Sequence, residues 1–221
     1  MKSLKLKKIC VCAMLTALAY LCTFIFRFKV SFLTFDFKDA IISIISLLYG
    51  PLYGIASAGI VSGIEALSVS DTGIYGFIMN FLSTATFSLT CGLIYKYKRT
   101  FSGAIIAVSM SVISVTSVML LANIFITPFY LGVKTADVIA FLPTLILPFN
   151  LSKAIINSAV ILLIYKPIIS ALRRAKLVLS EKNESAIFSL KSVILIISSV
   201  IIIILIAVFL IKVMGGTFET I

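Results

Sequence analysis

The chain reads as a succession of apolar runs broken by short polar punctuation. By run length and by breakers, the pattern predicts seven helices, at about residues 9–26, 40–49, 55–67, 74–95, 102–126, 138–172 and 190–213. The longer runs suffice to cross a hydrocarbon core of about 30 Å. RFKVSFLTFDFKD, between the first two, reads as an amphipathic, aromatic-rich loop. The second helix is short and is broken by YGPLYG, with Gly50, Pro51 and Gly54 as turn residues. SVSDTG is a polar turn before the fourth helix, and TPFYLGVKTAD is a second loop before the sixth. Pro143 and Pro148 disturb the first half of the sixth, because proline removes a backbone donor and crowds the preceding turn. Between its end lysines the seventh is apolar apart from serines, which reads as a lipid-facing appendage rather than part of a site.

Composition turns this helical pattern into a membrane protein. The 221 residues are 61% hydrophobic and 12% charged, whereas soluble domains carry charge on about a quarter of their residues. The expected fold class is an all-α membrane protein with three parts. Residues 1–175 form a six-helix membrane domain, 176–189 a charged cytoplasmic linker, and 190–214 an additional transmembrane helix. The net charge of +11 would suit nucleic acid, but its placement argues against that partner. Lys2, Lys5, Lys7 and Lys8 precede the first span, Lys96, Lys98 and Arg99 share one loop, and Arg173, Arg174, Lys176 and Lys182 another. With the N-terminus in the cytoplasm, alternation places all three clusters inside, the usual topology signal. Arg27, Lys29, Lys38 and Lys134 fall outside, fewer and dispersed. The expected location is the cell membrane, multi-pass. The basic, then apolar, start looks like a signal peptide but lacks a clean cleavage site, so it is read as a retained span.

Cys10, Cys12, Cys22 and Cys91 form no CxxC pair and histidine is absent, so neither a zinc site nor a redox dithiol is expected. There is no P-loop and no HExxH, which excludes nucleotide hydrolysis and zincin chemistry by this chain. No carboxylate is expected deep in the span and none is expected paired there, which leaves a proton relay or a membrane protease little to work with. No inverted repeat is evident, against a standard secondary carrier.

The candidate chemistry lies in polar residues inside apolar runs. LPFNLSKAIIN, residues 147–157, holds a cation and two amides among aliphatics, and such groups are costly in hydrocarbon unless paired or wetted. At 1.5 Å per residue Lys153 lies roughly 20 Å above Lys166, and Asn80 roughly 24 Å above Lys96. Asn150 is one turn higher than Lys153 and shares its helix face. Glu65 and Asn123 sit near the outer ends of the third and fifth helices. Four helices thus bring polar groups to one level near the extracellular face, the pattern of a small-molecule pocket. The alternatives are asparagines acting as interhelical glue, a wetted Glu65, or a structural Lys153–Glu65 pair.

AMLTALAY, with Ala13 and Ala17, is followed by FLTFDFKDA, YGPLYG, IYGFIMNFL, GLIYKYKRTFSGAI, LANIFITPFY and LPFNLSKAIINS. Their order and spacing resemble the substrate-binding S component of energy-coupling factor (ECF) vitamin transporters, within these the riboflavin-specific type, over about residues 8–172. The resemblance implies a six-helix bundle that holds riboflavin or a related flavin near the extracellular side. Asn150, Lys153, Asn80 and Asn123 would hydrogen-bond it, and Leu33 and Phe35 would cover the pocket; Glu65 is a further ligand-site candidate by its position alone. Ala13 and Ala17 would face a transmembrane coupling protein worked by two ATPase subunits. Such a chain is not an enzyme, and riboflavin is its cargo rather than a cofactor. The alternatives are another water-soluble vitamin or a ligand-free membrane scaffold. Two features depart from the family. Lys38 stands where a small polar residue often precedes the aspartate, and the seventh span is additional. Neither is expected to touch the pocket.

Overall fold

Long apolar runs become long helices in the computed structural model, which describes residues 2–69, 72–175, 177 and 190–218. In chain order these are α1 (Lys2–Ile25), β1 (Phe28–Val30), β2 (Leu33–Phe35), α2 (Lys38–Tyr49), α3 (Pro51–Ser68), α4 (Gly73–Tyr97), α5 (Phe101–Leu131), α6 (Thr135–Phe141), a π-helical turn (Leu142–Ile146), α7 (Leu147–Arg174), α8 (Leu190–Lys212) and β3 (Thr217–Phe218). The expected linker at 176–189 lies outside the described residues except for Leu177. Among the described residues, Lys5–Ile25, Gly73–Tyr97, Ser102–Leu131 and Thr135–Leu172 are long and apolar enough to cross a membrane. The chain is a helical membrane bundle, as expected, with a small sheet added at one end.

Local chemistry sets the boundaries. Thr100 caps α5 by accepting the Gly103 backbone N–H at 3.1 Å, and Gly132 ends it in the left-handed conformation at φ +67°. Gly50, at φ +103°, closes α2, and Pro51 opens α3. Gly54 is not a turn residue as expected. It lies inside α3, where a Cβ would sit 1.8 Å from Ser46 Oγ and 2.1 Å from Ser88 Oγ. Its missing side chain lets α2, α3 and α4 approach closely around the Ser46–Ser88 hydrogen bond of 2.7 Å. Pro143 falls in the π-helical turn and Pro148 at the start of α7. The expected sixth helix is therefore one rod with a local re-winding rather than a uniform helix.

Three apolar clusters hold the elements. Phe87, Cys91, Ala104, Ala107 and Ile161 join α4, α5 and α7. Val11, Leu15 and Ala19 of α1 pack on Ile41, Ile42 and Ile45 of α2 and on Ala58 and Val61 of α3. Ala13 and Ala17 consequently lie on the exposed face of α1. Phe28, Val30 and Phe35 pack on Phe149 and Ile156 of α7 and on Leu210 of α8.

The segment expected to be a loop before α2 is a hairpin. Val30 pairs with Leu33, leaving Ser31 and Phe32 as a two-residue turn. Ser31 carries φ +54°, which costs a non-glycine residue about 1 kcal/mol. β3 adds to the other edge of β1, giving strand order β2-β1-β3. Twelve-residue α2 spans only about 18 Å, shorter than a hydrocarbon core of about 30 Å. α8 corrects the expectation of a mere appendage. One flank is exposed at Ile197, Val200, Ile204 and Val208, but Leu210, Ile203, Ile206 and the following Met214 pack into the hairpin cluster.

Candidate functional site

The hairpin, α3, α4, α5 and α7 converge on a cavity of about 240 Å³, close to the lower end of small-ligand pockets at about 300 Å³. Phe32, Leu33, Tyr75, Met79, Met119 and Phe149 form its apolar walls, and Arg27, Lys29, Thr34, Glu65, Asn80, Ser83, Asn150 and Lys153 supply polar groups. Tyr130 closes the α5 side and meets Phe32 edge to face at 6.3 Å between centroids. The strand period places paired Lys29 and Thr34 toward the cavity and Phe28 and Phe35 toward the opposite, packed face. Leu33, next to the turn, touches both the cavity and that packed cluster.

Five of the seven ligand-site residues expected from sequence therefore meet around one hollow: Asn80, Asn150, Lys153, Glu65 and Leu33. The other two do not line it. Asn123 is completely buried and spent inside α5, where Nδ2 donates to the Met119 carbonyl at 2.7 Å and Oδ1 accepts from Thr127 Oγ1 at 2.9 Å. Phe35 points to the far side of the hairpin, its ring 5.2 Å from that of Phe37. The cause is the same in both cases. In each the side chain is turned away from the hollow.

The floor of the cavity is an ion network. Lys153 Nζ donates to Asp36 Oδ2 at 3.1 Å and to the Thr34 carbonyl at 3.3 Å. Lys38 Nζ donates to Glu65 Oε2 and lies 3.4 Å from Asp36 Oδ2. Asp36 also accepts the Lys38 backbone N–H at 3.2 Å. Asp39 accepts from Thr84 Oγ1 at 2.5 Å. Asn157, one turn past Lys153, accepts the Ala40 N–H at 3.0 Å and donates to the Asp36 and Lys153 carbonyls, tying α7 to the start of α2. The Lys153 and Lys38 ammoniums flank the buried Asp36 carboxylate at 3.1 and 3.4 Å.

Three expectations are corrected here. Lys153 pairs with Asp36, not with Glu65. Carboxylates do lie buried inside the fold, since Asp36 is 1% and Asp39 2% exposed; Asp36 and Glu65 share Lys38, while Asp39 is held by Thr84. Lys38 does touch the pocket, through Glu65. An unpaired charge here would be costly, and Asp36 and Glu65 are each accompanied by a lysine.

Other polar groups at the cavity remain uncommitted. Among the described residues the side chains of half-buried Asn80 and buried Ser83 have no hydrogen-bond partner, although both line the hollow. Asn150 donates through Nδ2 to the Ile146 carbonyl at 2.8 Å, and its Oδ1 is left without a partner among those residues. A buried polar group normally has a partner. These groups can accept and donate to the edge of a small molecule sandwiched between aromatic and thioether walls.

Sequence reasoning missed Arg27, Lys29, Thr34, Asp36, Lys38, Tyr75 and Ser83. The first five sit in or beside a stretch whose apolar and polar residues alternate with period two, Phe28-Lys29-Val30 and Leu33-Thr34-Phe35-Asp36-Phe37. That alternation signals a strand with one polar face. For Ser83 the available signal is its spacing of three from Asn80 on α4; Tyr75, five residues before Asn80, offers none.

Residues 7–165 match the family model of the ECF transporter substrate-specific component. The riboflavin transporter RibU of Staphylococcus aureus (strain TCH60) is 33% identical over 179 residues, which cover 76% of this chain and 93% of that protein. The riboflavin transporter FmnP of Bacillus subtilis (strain 168) is 30% identical over 192 residues, 78% of this chain and 98% of that one. A solved structure of the S component of a bacterial ECF transporter superposes with a TM-score of 0.66 at 32% identity, covering 77% of this chain and 99% of the other. With its helical bundle and a ligand-sized cavity inside it, the chain belongs to the substrate-specific component family of ECF transporters.

Proposed function

We propose that this chain captures riboflavin in the cavity and delivers it as the substrate-specific subunit of an ECF importer. The observation that carries the reading is the set of uncommitted side chains, Asn80, Ser83 and Asn150, around an aromatic-walled hollow. The relatives named as riboflavin transporters support the choice of ligand. A flavin offers a flat ring system for Tyr75, Phe149 and the methionines. Its pyrimidine edge and ribityl hydroxyls offer donors and acceptors for Asn80, Asn150, Ser83 and Lys153. Glu65 and Asp36 act one step back by holding Lys38 and Lys153 in place. Asn123 and Phe35 support the walls from behind and take no part in contact.

The N-terminus lies in the cytoplasm and the cavity opens toward the extracellular side, following the three basic clusters. The exposed small-residue face of α1, Ala13 and Ala17, takes the transmembrane coupling protein, and two ATPase subunits supply the energy. Riboflavin is cargo, released unchanged. Titrating purified protein with riboflavin, followed by quenching of flavin fluorescence, is expected to give saturable one-to-one binding. Failure to bind any flavin, together with a thermal shift from another vitamin in a panel, would replace riboflavin by that vitamin. No shift from any small molecule would overturn the reading altogether.

A further inference from the structure

The matched family stretch ends at residue 165, yet α8 and β3 lie well beyond it and reach back to the wall of the cavity. Leu210 is buried against Phe28, Val30 and Phe35, with Ile203 and Ile206 beside it. The chain then reverses. Gly215 takes φ +66°, and the Gly216 N–H donates to the Leu210 carbonyl at 3.0 Å. Gly216 lies directly on the hairpin, where a Cβ would stand 2.2 Å from Phe28 Cζ and 2.9 Å from Val30 Cγ2. The two glycines thus meet different demands, a left-handed turn and a close backbone approach. Thr217 and Phe218 then pair with Lys29 and Phe28.

β1 is thereby a central strand. One face of the β1–β2 pair carries Lys29 and Thr34 on the cavity, and the other packs on α7 and α8. A hairpin with three residues per strand is marginal alone, and a third strand tied to a long helix changes that. Any ligand that passes the hairpin must move it, and the cost of moving it now includes breaking β3 away.

We infer that α8 and β3 form an intramolecular clasp on the hairpin, so that the C-terminal strand sets how slowly the cavity releases its ligand. The effect on release rests on the flavin reading above, whereas the restraint of the hairpin does not. The test uses the full chain with Thr217→Pro, which withholds a backbone donor from the strand. Gly216→Val, which drives a side chain into Phe28, is the second variant, and Thr217→Val, which keeps the strand, is the control. Hydrogen–deuterium exchange of residues 28–35 is measured without ligand, and riboflavin dissociation by stopped flow. Both disruptive variants are expected to exchange faster in the hairpin while the exchange of α4 and α5 is unchanged, and to release riboflavin roughly tenfold faster, the scale of one or two lost hydrogen bonds. The control is expected to match wild type. Faster hairpin exchange in a protein that binds no flavin would retain the clasp and remove the flavin reading. Unchanged hairpin exchange in both disruptive variants would overturn the clasp, as would unchanged release from a protein that binds.

Discussion

Removing the Lys38 ammonium tests whether the ion network holds the cavity floor together. Lys38 is completely buried, hydrogen-bonded to Glu65 Oε2 and 3.4 Å from Asp36 Oδ2. At an effective dielectric of about 20, one unit pair at that separation is worth about 5 kcal/mol. Breaking a buried pair from one side costs about 3–5 kcal/mol because the remaining charge is stranded. Lys38→Met keeps most of the length of the side chain and deletes its charge, leaving, among the described residues, Glu65 with no paired cation and Asp36 with Lys153 alone. At about 2–4 °C per kcal/mol for a chain of this size, the melting temperature should fall by about 6–20 °C. The chain has no tryptophan, so the assay is thermal exposure of buried Cys12 and Cys91 to a thiol-reactive dye in detergent, on a Cys10→Ser background. Adding Glu65→Gln removes the stranded charge and should recover most of the loss. A single variant within about 0.5 kcal/mol of its parent, the range of ordinary surface substitutions, would refute the reasoning. So would a double variant no more stable than the single one.

Asn80→Ala should lower riboflavin affinity by about 1–3 kcal/mol, the loss on unpairing a polar contact, while leaving the melting temperature of the free protein almost unchanged, because Asn80 has no partner among the described residues; calorimetry and the thiol assay measure the two separately. Gly54→Ala should destabilise the bundle by about 1–3 kcal/mol, because its Cβ would displace the Ser46 and Ser88 hydroxyls, and the thiol assay reads this directly. Ala17→Leu, on the exposed face of α1, should leave riboflavin binding in detergent intact and abolish cellular uptake measured with labelled riboflavin.

What the sequence determined by itself were the properties carried by short stretches. A run of apolar residues announces a membrane helix wherever it sits, so the helical bundle was legible before any coordinates. Helical rise is constant, so the shared depth of Asn80, Asn150, Lys153 and Glu65 could be measured along each helix. The motif order from AMLTALAY to LPFNLSKAIINS carried the family. Only the tertiary structure decided which of these groups meet. Asn123 lies on an expected site helix, yet its amide turns back onto Met119 and Thr127, because small differences in rotation about the helix axis separate a cavity face from a buried one. Lys153 had Glu65 as an apparent partner until the hairpin brought Asp36 to it and left Glu65 to Lys38. The hairpin was half visible in its period-two alternation, but three-residue strands are too short to outweigh a loop reading. The pairing of Thr217 with Lys29 left no local trace at all, since it joins opposite ends of the chain and depends on α7 and α8 lying side by side. Composition and periodicity report what a segment prefers next to its neighbours in sequence. The partners of a buried charge, and the strand that pairs with a distant hairpin, are chosen by packing among segments far apart in it.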